Sequence, residues 1–146
     1  MAEQDRPYRY DALIKQRERE TDQAARRLAL REREIAKLRK LRDRHSQSLK
    51  ESRQQARPGE KVDLAMHSLQ YGRGAVLRQA LARSEMRIDQ LQRDASARRA
   101  ELVEARTRLK AAEKLRERLH DRIAERLAKA ERDEIDEIAV LRHADD

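Results

Sequence analysis

Four histidines are the side chains of this sequence best suited to bind a metal ion. They are His45, His67, His120 and His143. None of them has a second histidine four residues away, and the chain contains no cysteine. A helical metal site needs two ligands at such a spacing, and a thiolate zinc site needs cysteines. We therefore expect no metal site and no other cofactor.

Carboxylates are numerous, but their spacing is typical of a solvated helix surface. Glu104 lies four residues before Arg108, an attractive spacing, and Glu113 lies four residues before Glu117, a repulsive one. Acid–base catalysis needs burial or a close charge to perturb a pKa. The sequence also has no nucleophile elbow and no glycine-rich phosphate loop. We predict that the protein is not an enzyme and takes no small-molecule substrate.

Helix-breaking residues are confined to Pro7, Pro58, Gly59, Gly72 and Gly74. The stretches between them are rich in strong helix formers and predict two helices, residues 8–57 and 62–142, joined by a turn at 58–61. Gly72 and Gly74 leave a second bend open as an alternative. Charged residues make up 44% of the chain and aromatics 2%, too few large side chains for a broad core. The predicted fold class is all-α: residues 1–146 form a single two-helix antiparallel coiled-coil hairpin with a protruding C-terminal helix.

Heptad spacing marks one face of each predicted helix. In the first helix these positions are Ile14, Arg17, Thr21, Ala24, Leu28, Arg31, Ile35, Leu38, Arg42, His45 and Leu49. In the second they are Leu77, Leu81, Ser84, Ile88, Leu91, Ala95, Arg98, Leu102, Ala105, Leu109, Ala112, Arg116, Leu119 and Ile123. Pairing across a turn at 58–61 predicts Leu28 opposite Leu91, Ile35 opposite Ser84, and Leu38 opposite Leu81.

The second helix outlasts the first, so its C-terminal part has no partner within the hairpin. The heptad spacing slips after Ile123, and a new apolar stripe follows, made of Leu127, Ile135, Ile138 and Leu141. Acidic residues flank this stripe at Asp133, Glu134, Asp136 and Glu137. We expect either a docking element or a frayed end.

The charge balance leaves a second function class open. The net charge is +8, from 36 Lys/Arg and 28 Asp/Glu, so a basic coiled coil that binds nucleic acid is an alternative. Only Tyr8, Tyr10 and Tyr71 are aromatic, so few side chains can stack on bases. Nucleic-acid binding is therefore the less favoured function class. Because no apolar run approaches a membrane span and no signal peptide is visible, we expect a cytoplasmic chain.

Three segments resemble the FliJ family of the bacterial flagellar type III export apparatus. Residues 7–29 are similar to the aromatic-x-aromatic opening and alanine-rich first turns of the family, with Tyr8 and Tyr10 as the aromatic pair. Residues 99–115 are similar to its most recognisable block, and residues 133–142 to its acidic tail. The glycines at 72 and 74 depart from its pattern. Injectisome stalk proteins of the YscO type share the same shape and are the nearest alternative.

The resemblance implies a non-enzymatic stalk and general chaperone that links a hexameric export ATPase to the membrane export gate and also handles substrate chaperones. The ATPase contact would lie at Leu127, Asp133, Glu134, Ile135, Glu137, Ile138 and Leu141. The export-gate contact would lie near the hairpin tip, at Leu41, His45, Leu49, Met66, Leu69 and Tyr71. Such a protein would be cytoplasmic, associate peripherally with the inner-membrane export apparatus, and serve motility.

Overall fold

The computed structural model describes residues 7–55 and 63–144, and within these ranges the chain is two long α-helices with no strand. Helix α1 is Pro7–Gln55 and helix α2 is Leu64–Ala144. The two helices pack against each other, which confirms the predicted all-α coiled-coil hairpin. The predicted turn at 58–61 lies outside the described residues. Neither described helix is both long and apolar enough to cross a bilayer.

Two compact units make up the chain. The central unit is Ala24–Glu101, and the terminal unit combines Met1–Gln23 with Leu102–Asp146. Each unit therefore contains a stretch of α1 and a stretch of α2.

The predicted heptad seam is confirmed on both helices. Every seam position named from the sequence is buried or half-buried, and nearly all the residues between them are exposed. The seam of α1 extends by one position at either end, to Tyr10 and Ser52, and the seam of α2 begins at Gln70 and the buried Gly74. The polar residues Thr21, Ser84 and Arg98 take their places in this seam as the spacing predicts. Thr21 donates a hydrogen bond from its Oγ1 to the Arg17 carbonyl at 2.8 Å, which satisfies its hydroxyl within the helix.

The core of the central unit is a cluster of Ile35 with Ile88, Leu91 and Ala95. Leu28 and Leu38 pack against it. Ala95 is only 1% exposed, and its small side chain lets the two helices come close together. The cluster is one side-chain layer thick, as expected for a two-helix seam.

The helix register differs from the predicted one by about one heptad. The prediction placed Ile35 opposite Ser84, but Ile35 clusters with residues farther along α2. In the same unit, the predicted pairing of Leu28 with Leu91 would bring residue 88 opposite Arg31. In the structure, Arg31 Nε instead lies 2.5 Å from Asp94 Oδ2. When α2 is shifted by seven residues against α1, the same residues still face the seam. The prediction of which residues face the seam therefore holds, but each of them pairs with a different residue of the other helix.

Two arginines of the α1 seam form ion pairs, Arg31 across the helices and Arg17 within α1. Arg31 donates hydrogen bonds to Glu34 and lies against Asp94, and these two contacts, Glu34 first, raise the pKa of its guanidinium. In the terminal unit, Arg17 donates to Glu20 at 2.8 Å and thereby lowers the pKa of that carboxyl. Arg17, Glu20, Arg31 and Asp94 are half-buried and still reach solvent, so each pair stabilises only weakly.

In the terminal unit, Ile14 on α1 and Leu102, Ala112 and Leu119 on α2 are buried. Arg116 donates to Asp11 across the helices at 3.1 Å, which sets the pairing close to the N-terminal end of α1. Ile123 is the last half-buried residue of α2, and every described residue from 124 to 144 is exposed. The predicted protruding C-terminal helix is therefore present, and it is fully helical up to Ala144.

Helix α2 runs without interruption through Gly72 and Gly74, so the alternative of a second bend there is wrong. Neither glycine has a backbone conformation that only glycine tolerates, and a Cβ added at Gly72 would meet nothing within 4 Å. Two glycines weaken a helix by about 1 kcal/mol each relative to alanine, but the seam contacts on either side outweigh this cost.

Candidate functional site

No group of three or more His, Cys, Asp or Glu within residues 7–55 and 63–144 is placed to hold a metal ion. The structure offers two candidate surfaces for contact with a partner.

The first is the C-terminal stripe, which we define as Leu127, Ile135, Ile138 and Leu141. These side chains are exposed to between 52% and 66%, high values for large aliphatic groups. At 100° per residue, Leu127, Ile138 and Leu141 lie on the same side of α2 as the last seam residue, Ile123, and Ile135 lies at the edge of that face. The stripe thus continues the apolar seam beyond the point where α1 covers it.

Acidic residues and a further apolar residue complete this segment. A shallow depression of about 500 Å³ lies against Asp133, Asp136, Glu137, Val140 and Leu141. Val140 is 68% exposed and was missed in the sequence reading, because it lies on the opposite side of the helix from Ile138 and fits no heptad position. The segment therefore presents apolar side chains on more than one side, set between carboxylates.

The second surface is the tip set, which we define as the six predicted gate-contact residues. The structure divides it. Met66, Leu69 and Tyr71 are exposed to between 57% and 72%, and Leu41 is 41% exposed. His45 and Leu49 are half-buried seam residues. The six residues therefore do not form one continuous exposed patch.

The register explains this division. With α1 and α2 paired about one heptad farther along α2 than expected, Gln55 comes level with about residue 71. Residues 64–70 of α2 then lie beyond the last described residue of α1, and all of them except Gln70 are exposed. Leu64, 81% exposed, belongs to this surface and was missed, because the sequence alone does not say where α1 stops covering α2. Val76, 65% exposed, was also missed; it lies alongside α1 but faces away from the seam.

His45 differs from the other tip residues because one of its ring nitrogens, Nδ1, is buried without a hydrogen-bond partner among the described residues. A buried polar atom without a partner weakens the fold by about 1 to 3 kcal/mol. This position therefore acts inside the seam, and an alanine there would change packing as well as any surface contact.

The two units differ in charge. Residues 24–101 contain 20 Lys/Arg and 10 Asp/Glu, a formal charge of +10, whereas the rest of the chain contains 16 and 18, a formal charge of −2. Each unit thus suits partners of different electrostatic character. The acidic surplus of the terminal unit includes the C-terminal stripe's neighbours.

The family model described as flagellar FliJ protein matches residues 6–146. The match covers nearly all of the sequence, including both helices and both candidate surfaces. No curated protein and no solved structure gives a significant match.

Proposed function

The chain belongs to the flagellar FliJ protein family, a family of non-enzymatic export components, and from this premise we propose that it is the stalk that joins the export ATPase to the export gate. The stalk would be cytoplasmic, would associate peripherally with the inner-membrane export apparatus, and would serve flagellar assembly and motility. A match to the flagellar family favours this system over the injectisome stalks of the YscO type.

The observation that carries the proposal is the C-terminal stripe. A helix end that buries nothing gains no tertiary stabilisation, and it exposes four large aliphatic side chains to water. Burying one such side chain stabilises a complex by about 1.5 to 3 kcal/mol. A socket formed by the hexameric export ATPase would supply that burial. The residues that we place at this contact are Leu127, Asp133, Glu134, Ile135, Glu137, Ile138 and Leu141.

Carboxylates beside the stripe give the contact its charge preference. Asp133, Glu134, Asp136 and Glu137 stand within two turns of the stripe's centre and would face a basic rim. Attraction between exposed charges is screened beyond roughly 8 to 10 Å near physiological ionic strength. Association with the ATPase should therefore slow as salt is added, while dissociation changes little.

At the other end of the hairpin we propose that the tip set contacts the export gate. Met66, Leu69 and Tyr71 are its exposed members and are the ones that we expect to touch a partner directly. His45 and Leu49 would act by holding α1 against α2. Empty substrate chaperones are further proposed partners, and the structure favours no particular surface for them.

The test of the ATPase contact uses Ile135→Asp/Ile138→Asp and the purified export ATPase. Both side chains are exposed, so helicity should be unchanged. We expect the dissociation constant to rise roughly a hundredfold, because losing two aliphatic contacts costs about 3 kcal/mol. The matched control is Val103→Asp, which also changes an exposed aliphatic residue of the terminal unit, 62% exposed, and should bind normally. Normal binding by the double variant would exclude the C-terminal stripe as the contact.

The gate contact is tested separately with Met66→Ala/Tyr71→Ala and the purified gate protein. We expect weaker gate binding, unchanged ATPase binding and reduced motility of cells that carry the variant. If gate binding and motility stay intact while the fold is preserved, the tip set is not the gate contact.

A further inference from the structure

The first six turns or so of α2 differ in composition from the rest of the chain. No Asp or Glu occurs in residues 64–84, a run of 21 residues, whereas the next longest run without an acid is residues 23–31. The only formally charged residues in the run are Arg73, Arg78 and Arg83. In a chain in which 44% of residues are charged, this run is the place where anions would meet the least repulsion.

This acid-free run is also where large apolar side chains are most exposed. Leu64 is 81% exposed, Leu69 72%, Tyr71 70% and Val76 65%. At 100° per residue, Leu64 and Tyr71 lie on one flank of the helix and Leu69 and Val76 on the other. The arc between the flanks points away from the seam. It holds small side chains in the first turns, Ala65, Ser68 and Gly72, followed by Gln79 and Arg83.

Arginine and tyrosine are paired on this surface. The Arg78 guanidinium lies 5.9 Å from the centroid of the Tyr71 ring. Tyrosine and arginine are residues that favour the boundary between headgroups and acyl chains, where an apolar body and a polar group are both solvated. Arg73 adds a second cation, on the helix side between the Leu69 and Val76 flank and the seam.

We propose that residues 64–80 of α2 bind the surface of an anionic lipid bilayer directly. The apolar side chains would enter the boundary between headgroups and acyl chains, and Arg73 and Arg78 would bind lipid phosphates. The wider central unit, with its charge of +10, would add long-range attraction to the same surface. This contact deepens the proposed function, since it would hold the gate-facing end of the hairpin at the membrane.

Nucleic acid is the other polyanion that a basic surface could bind, and the composition of the run argues against it. Phosphate-backbone binding gains nothing from exposed Leu64, Leu69 and Val76, and single-strand binding uses stacked aromatic side chains. The run has one aromatic residue, Tyr71, and Arg78 already occupies a face of its ring. Insertion into lipid uses both the apolar residues and the arginines.

The test is co-sedimentation of the full chain with vesicles of phosphatidylcholine, with and without about one third phosphatidylglycerol. No export protein is present, so failure here leaves the ATPase contact of the C-terminal stripe unaffected. We expect binding to the anionic vesicles, little binding to the neutral ones, and a loss of binding as salt is raised. The absence of binding to anionic vesicles would overturn the proposal.

Two variants separate the apolar and the electrostatic parts. Leu69→Gln/Val76→Gln removes two apolar side chains without changing the charge and should lower the partition coefficient by about tenfold or more. Arg73→Gln/Arg78→Gln should lower it roughly 25-fold, from about fivefold per arginine. The matched control Met86→Gln, at a residue 65% exposed just outside the run, should bind like the wild type. Circular dichroism checks that all variants remain helical. Binding that is equal in the wild type and in either double variant would overturn the proposal.

A direct reading of insertion comes from Tyr71→Trp, because the chain has no tryptophan of its own. Its fluorescence should shift to the blue on adding anionic vesicles and should be quenched by lipids labelled near the headgroup. A fluorescence spectrum that does not change despite co-sedimentation would show that this run stays in water and would overturn the proposal. Binding of duplex DNA that survives Leu69→Gln/Val76→Gln, without vesicle binding, would assign the basic surface to nucleic acid instead.

Discussion

Leu91→Ala tests the packing of the central unit most directly. Leu91 is 3% exposed and belongs to the cluster with Ile35, Ile88 and Ala95. The substitution removes three carbon atoms from the seam, at about 0.8 kcal/mol for each buried methylene equivalent. The cavity adds little, because a seam one side chain thick can close partly around it. We expect a loss of about 3 kcal/mol in the free energy of unfolding.

The assay is urea unfolding followed by circular dichroism at 222 nm. The matched control is Met86→Ala, a truncation of similar size on the same helix at a residue 65% exposed. It should change the free energy of unfolding by less than about 0.5 kcal/mol. Our reasoning about the seam is refuted if Leu91→Ala costs less than about 1 kcal/mol or if the two variants lose the same stability.

Three further predictions concern the fold. Leu102→Asp or Leu109→Asp should lower both helicity and melting temperature, because a carboxylate in the seam loses apolar burial and must be desolvated; unchanged melting would place these residues outside the seam. Gly72→Ala should raise the free energy of unfolding by about 1 kcal/mol, since the helix is continuous and the added Cβ meets open space; a loss would show a strained backbone there. His45→Leu should raise it by about 1 kcal/mol by removing a buried nitrogen without a partner, and a loss would reveal a partner for that nitrogen.

The sequence predicted which residues face the seam because that information is local. A helix turns 100° per residue, so positions three and four apart fall on one face whatever the partner does. This is why Ser84 and Arg98, polar as they are, were placed correctly by spacing alone. The greater length of the second predicted helix, rather than the spacing, predicted that the C-terminal stripe would lack a partner within the hairpin.

Register was not predictable from the same pattern. A shift of one heptad leaves every seam position in the seam. The heptad periodicity therefore does not distinguish the correct turn of α2 opposite Ile35 from the turn one heptad away. Only the path of the connecting residues chooses among such registers, and breaker residues locate that path to within a few positions. The error carried over to the tip set, because the register decides which part of α2 lies beyond the end of α1.

The proposed stalk function is tested most directly by the effect of the chain on the export ATPase that we propose as its partner. The measurement is the rate of ATP hydrolysis and the fraction of hexamer, with the full chain and with a chain lacking residues 133–146. We expect the full chain to promote ring assembly and hydrolysis, and the truncated chain to keep its hairpin but to lose most of this effect. Full stimulation by the truncated chain would contradict the placement of the ATPase contact on the C-terminal stripe, and no stimulation by either chain would contradict the stalk function itself.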